Sequence, residues 1–203
     1  MEKTVAETET NVTNIAAIPR NQKGEAMPRK FTQLAFTPAV KAAQAQRGSR
    51  DTYARFEQTG PENDVVTPEL ETFIAHLDGF YLATVSSTGY PYVQFRGGAP
   101  GFLKVVDDQT LGFADFKGNV QYVTLGNLSE HDQAFLFLMD YRQQKRLKIW
   151  GRARAVEHDQ ELIERCTMAE DDSPIERVIL FHVDAWNWNC PQHIPQRYAE
   201  AEV

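Results

Sequence analysis

From residue 68 to residue 77 the apolar side chains fall at Leu70, Phe73, Ile74 and Leu77, the three-and-four spacing that puts them on one face of a helix. Thr67 is placed to cap that helix, Pro68 suits its first turn, and Asp78-Gly79 ends it. Beyond Gly79 the pattern shortens to apolar runs at 80–85, 92–96, 102–106 and 110–114, divided by turn residues such as Ser87-Thr88-Gly89 and Asp107-Asp108. These read as strands of a meander. A short helix is expected at 120–125, two longer strands at 134–139 and 147–156, a helix at 160–168 and a last strand at 177–183. Upstream, a helix at 39–46 stops at Gly48-Ser49-Arg50. Many short strands with few helices favour a closed or partly closed antiparallel barrel over a doubly wound sheet. Residues 1–30 are polar and have no hydrophobic period, so they are expected to be a mobile extension of a single domain over 31–203.

Composition narrows the function classes. A length of 203 residues with 42% hydrophobic content suffices for one core. A net charge of −7 argues against a nucleic-acid partner, which needs a basic face. No apolar run approaches the roughly 20 residues of a membrane span, and the polar N-terminus has no signal-peptide core, so a cytoplasmic protein without a membrane partner is expected. Cys166 and Cys190 form neither a CxxC pair nor a zinc pattern and are read as reduced thiols. The five histidines show no metal-ligand spacing, so no metal is expected.

Candidate chemistry centres on Phe113-Ala114-Asp115-Phe116-Lys117-Gly118-Asn119-Val120-Gln121-Tyr122, which reads as a strand, a turn and a helix start. A helix N-terminus offers unpaired N–H groups and the positive end of its dipole to an anion. Lys117 adds charge, Gly118 permits close approach, and Asn119 either binds a phosphate oxygen or simply caps an ordinary loop. Arg96, Arg146 and Lys148 on strands are open to two readings, ligand contacts or a solvated face. The same holds for the C-terminal segment. Trp186, Trp188, His193 and Arg197 crowd into twelve residues with two prolines, as a ligand-presenting loop or as a tail pinned by its tryptophans.

Taken in order, the segments around Gly89-Tyr90-Pro91-Tyr92-Val93-Gln94-Phe95-Arg96, Phe102-Leu103-Lys104-Val105, the 113–122 stretch, Leu136-Phe137-Leu138-Met139-Asp140, Arg146-Leu147-Lys148-Ile149-Trp150 and Trp188-Asn189-Cys190-Pro191-Gln192-His193-Ile194-Pro195-Gln196-Arg197 resemble the pyridoxamine 5'-phosphate oxidase-like flavoproteins. The resemblance runs from about Phe31 to Tyr198. It implies a mainly β (α+β) fold, an antiparallel split β-barrel with a few peripheral helices, and FMN as cofactor. It also implies that Arg96 and Lys104 face the cofactor, that Ala114 and Asp115 lie along the flavin, and that Asn119 and Gln121, with Lys117, hold the phosphate and ribityl chain. Arg146 and Lys148 would then reach the phosphate or the ring edge. In the family the C-terminal region supplies a Trp and an Arg, here Trp188 and Arg197, to the partner subunit's site, which implies a homodimer with sites at its interface. His193 is a candidate substrate contact or proton donor.

The function so implied is an FMN-dependent oxidoreductase acting on a small molecule. The alternatives are a non-catalytic flavin-binding or sensing module, and a haem-handling split-barrel protein with His193 or His182 as axial ligand. Efficient pyridoxamine 5'-phosphate oxidation is not expected. The stretch 164–173 carries one arginine among four acids where the oxidases hold a second phosphate, and Gln192-His193-Ile194 stands where they have Arg-x-His.

Overall fold

The computed structural model describes residues 29–169 and 174–198, so the extension expected over 1–30 and the acids at 170–172 lie almost wholly outside the described residues. Six helices and seven strands follow one another: α1 (Lys30–Ala35), α2 (Pro38–Gln46), α3 (Arg50–Gln58), α4 (Pro68–Ala75), β1 (Gly79–Val85), β2 (Pro91–Gly97), β3 (Lys104–Asp107), β4 (Thr110–Phe116), α5 (Val123–Glu130), β5 (Gln133–Asp140), β6 (Lys145–Val156), α6 (Gln160–Cys166) and β7 (Ile175–Trp188). The strands make one antiparallel sheet in the order β2-β1-β5-β6-β7-β4-β3. It is a mainly β fold whose sheet curls without closing, as the split-barrel reading expects.

Alternation along the strands makes the core. On β5, Ala134, Leu136 and Leu138 point inward while Phe135, Phe137 and Met139 take the other face. Their inward neighbours are Leu82 on β1, Ile149 on β6 and Phe181 on β7, all essentially without solvent exposure. Helix α4 closes the open side with Leu70, Phe73 and Ile74, and its start is as expected, with the Thr67 hydroxyl accepting from the Leu70 amide at 3.2 Å.

Three elements depart from the sequence reading for physical reasons. The last strand runs to Trp188 instead of stopping at residue 183, because a bulge opposite Trp150 and Gly151 absorbs Asp184 and the alternation resumes with buried Ala185 and Trp186. Helix α5 begins at Val123, three residues later than expected, since Val120 and Tyr122 adopt left-handed φ of 56° and 51°. Helices α1 and α3 were not expected, since neither carries a long apolar period. They are held by Phe31, which is buried, stacks on Trp150 at 5.8 Å and meets Phe36 and Phe56 edge-on.

The bulge depends on Gly151. A Cβ there would overlap the His182 carbonyl oxygen and the Phe181 ring, and the carbonyl is backbone that cannot swing aside. Gly151→Ala should therefore cost about 3 kcal/mol, the upper end of ordinary overpacking, measured by urea unfolding. A loss under about 0.5 kcal/mol would show that the β6–β7 contact is looser than described.

Candidate functional site

The curl of the sheet brings β2, at one edge, against β4, next to the other edge. Arg96 on β2 reaches across the split and donates to Asp115 Oδ1 on β4 at 2.5 Å. Arg177 on β7 donates to the other oxygen, Oδ2, at 3.0 Å, and also pairs with Glu157 at 3.1 Å and Glu176 at 3.0 Å. Asp115 and Arg177 are both buried. A carboxylate shared by two guanidiniums in such a place is strongly coupled to the fold. Burial alone would lower the Arg177 pKa, but hydrogen bonds to Asp115 and Glu157 raise it above its ordinary value.

A cleft of about 210 Å³ lies over this network. Its walls are Tyr92, Gln94 and Arg96 from alternate positions of β2, the loop from Phe116 to Tyr122, and the first turn of α5. Thr124 donates to Gln94 Oε1 at 3.0 Å, and the Tyr122 hydroxyl donates to Glu176 at 3.3 Å. Asn119 does not cap α5. Its Oδ1 accepts from the Gln121 amide at 3.2 Å and folds the loop, while the residue before the helix, Tyr122, makes no side-chain cap. Gly118 has ordinary φ, and a Cβ on it would meet nothing closer than 4.0 Å, so the close backbone approach expected of it is not what the structure uses.

One atom in the cleft is unaccounted for. Arg96 Nε is screened from solvent and has no hydrogen-bond partner, a deficit that costs about 1–3 kcal/mol until an acceptor fills it. The guanidinium is otherwise fixed, by Asp115 on one side and the Phe113 ring at 5.7 Å on the other. The residues therefore suit an anionic oxygen at Arg96 and a hydroxylated chain along Gln94, Asn119, Gln121 and Thr124. Arg177 and Arg96 are offset by Asp115 and Glu176, so oriented donors, more than net charge, serve an anion here. The volume falls below the roughly 300–1,000 Å³ of complete small-molecule sites. These donors suit the chemistry of the phosphate and ribityl groups of FMN, and the volume is smaller than a complete site for it needs.

Of the residues singled out in the sequence, Arg96, Asp115, Asn119 and Gln121 line the cleft, with Ala114 and Lys117 adjoining it in the chain. Lys104 instead directs its ammonium to the Met168 sulfur at 2.7 Å, beside α6. Arg146 donates to the Cys190 carbonyl at 3.0 and 2.8 Å and straps the C-terminal segment to β6. Trp188 packs edge-on against Phe73 at 4.8 Å, and Arg197 lies over the Tyr141 ring at 4.7 Å. Within one chain these last four do not converge on the cleft. His193 sits exposed in a left-handed turn. Arg177, Gln94 and Thr124 escaped the sequence reading. Arg177 begins an apolar strand and looks like a terminal charge, and only the topology shows it facing Asp115.

A family model described as pyridoxamine 5'-phosphate oxidase matches residues 66–190, more than half of the chain. The chain belongs to this family. The family match starts just ahead of α4, so α1 to α3 stand outside it. No curated protein matches the chain in sequence. Among solved structures, HupZ of Group A Streptococcus is 16% identical with a TM-score of 0.51, over 66% of this chain and 99% of that one. A point variant of the same HupZ is 15% identical with a TM-score of 0.50, over 61% and 99%. A third, an FMN-binding protein from Syntrophomonas wolfei, is 14% identical with a TM-score of 0.47, over 72% and 97%. At these identities the likeness to HupZ is one of fold.

Asp115→Ala leaves Arg96 and Arg177 facing each other without their shared carboxylate and should destabilise the protein by about 3 kcal/mol in urea unfolding. Arg96→Met should cost less, because Asp115 keeps Arg177. An Asp115→Ala variant as stable as the parent would show that the network does not hold the split.

Proposed function

We propose that the protein is an FMN-binding oxidoreductase of the pyridoxamine 5'-phosphate oxidase family, acting on a small molecule other than pyridoxamine 5'-phosphate. The observation that carries the reading is the unpaired Arg96 Nε in a polar cleft shaped for a phosphate and a hydroxylated chain. FMN when bound supplies hydride or single-electron transfer. The chain's own part is binding and orientation. Arg96, steered by Asp115, would hold the phosphate beside the Lys117–Tyr122 loop, and Gln94, Gln121 and Thr124 would face the ribityl hydroxyls.

The cleft's small volume supports a site completed by a second subunit. An exposed apolar sheet face supports the same reading: Val93 and Phe95 are each 58% exposed, and Phe135, Phe137, Met139 and Tyr141 border a groove on that side. In such a homodimer Trp188, Arg197 and Arg146 would serve the partner's flavin. No histidine lines the cleft, and His182 engages Asp184 at 3.7 Å on another surface, so no observation favours the haem reading over the flavin one. Among the described residues no group of side chains has metal-site geometry and no helix is long and apolar enough to cross a membrane. A cytoplasmic setting accords with the two free thiols.

Flavin fluorescence titration should give FMN an affinity at least about tenfold above that of riboflavin, which lacks the phosphate, and sedimentation of the loaded protein should show a dimer. Equal affinity for the two flavins would remove the phosphate assignment, and a monomer with stoichiometric FMN would remove the shared site. Steady-state assay of the loaded protein with pyridoxamine and pyridoxine phosphates should show no efficient oxidation. Turnover of order 1 s⁻¹ at micromolar KM would contradict the substrate exclusion.

A further inference from the structure

A second cavity, of about 810 Å³, opens where α1 to α3 lie over the far end of β6 and β7. None of the residues that line it lines the cleft. Its volume is within the range of complete small-molecule sites, roughly 300–1,000 Å³. Phe31 pins the helices to Trp150, yet Phe36, Tyr53 and Phe56 beside it do not collapse onto the sheet. Tyr53 remains 40% exposed. On the sheet side the wall is Trp188, reached because β7 continues past the end of β4 and is tied back by the Trp186 amide donating to the Asn63 carbonyl at 2.7 Å.

Among the polar side chains that line this chamber, Lys148 and Asn63 carry unspent groups. Lys148 lies over the Trp150 ring at 5.5 Å, and among the described residues its ammonium makes no hydrogen bond or ion pair. Burial, and then the nearby Arg146 charge, lower the Lys148 pKa, and an anion beside it would offset both effects. Asn63 is 8% exposed and its Oδ1 has no partner. Arg29 is already committed, donating from Nε to the Thr59 carbonyl at 2.7 Å with its guanidinium 4.1 Å from the Phe56 centroid, and Gly60 leaves the room that it occupies. Glu69, exposed at the rim, disfavours a dianion. Aromatic walls, one free ammonium and one unsatisfied carbonyl oxygen define the complement.

We propose that this chamber binds a planar aromatic monocarboxylate, its ring among Phe36, Tyr53, Phe56 and Trp188 and its carboxylate on Lys148, with Asn63 Oδ1 accepting from an N–H or O–H substituent. Within one chain the two cavities share no lining residue; in the homodimer proposed above Trp188 would stand between this chamber and the partner's flavin, so Tyr53, which only the chamber uses, is the residue that separates the two readings. Helices α1 and α3 lie outside the family match, so the chamber is built partly from residues that the family model does not cover.

Calorimetric titration of the full chain with naphthoate tests the proposal, with naphthylmethylamine as the same ring of opposite charge and cyclohexanecarboxylate as the same charge without the ring. Naphthoate should bind at least about tenfold more tightly than either. Lys148→Met and Tyr53→Ala should each weaken it by about tenfold, with circular dichroism confirming the fold. As a readout that needs no variant, naphthoate should slow alkylation of Cys190, the exposed thiol that lines the chamber, by iodoacetamide, with buried Cys166 as internal reference. Equal affinity for naphthoate and the amine, an unchanged affinity in both variants, or an unprotected Cys190 would each overturn it. FMN titration of the same samples keeps the readings separate: Tyr53→Ala should leave flavin affinity unchanged, and a chain that takes naphthoate but no flavin would refute only the flavin proposal.

Discussion

The shared carboxylate of Asp115 is the constraint on which the site depends. A seven-stranded antiparallel sheet that curls without closing leaves two margins facing each other, and the hydrogen bonds that would join them as neighbouring strands are missing. Here the split is bridged by side chains: Arg96 from edge strand β2 meets Asp115 from β4, next to the other edge, and Arg177 from β7 holds the second carboxylate oxygen. Such a bridge contributes little net stability as a pair, because desolvating the charges offsets most of their attraction. Its importance is geometric. It fixes the width of the split, and it holds a guanidinium with one N–H turned to no acceptor at the floor of a polar cleft.

The rest of the chain divides around that split. Inward residues of all the longer strands fill a single core closed by α4. Outward residues of β2, β1 and β5 form an apolar face left open to solvent, while α1 to α3 cover the other end of the sheet through Phe31. The cleft and the aromatic chamber thus lie on separate parts of one scaffold, the first built within the family match, the second between that domain and the helices that precede it.

Strand positions were legible in the sequence because alternation is a local signal, and α4 was legible because its stripe, cap and stop agree. The family's ordered segments carried the fold. What the sequence did not reveal was long-range. Nothing local to Arg177 shows that it will face Asp115, and nothing local to Asn119 shows that two left-handed residues, Val120 and Tyr122, will delay α5 and leave Asn119 folding the loop instead. The sequence leaves Arg146 open between a ligand contact and a solvated face, because its carbonyl partners at Cys190 and Gln192 exist only once β6 and the C-terminal segment are side by side. Helices α1 and α3 escaped for a related reason. They are held by aromatic contacts among Phe31, Phe36, Tyr53, Phe56 and Trp150 that only the folded chain brings together.

The most direct test of the central claim is a crystal structure of the FMN-loaded protein. The account predicts the phosphate within hydrogen-bond distance of Arg96 Nε, beside the Lys117–Tyr122 loop, with the Arg96–Asp115–Arg177 network unchanged. A phosphate seated instead at Arg146 and Lys148, with Arg96 Nε still unpaired, would contradict it.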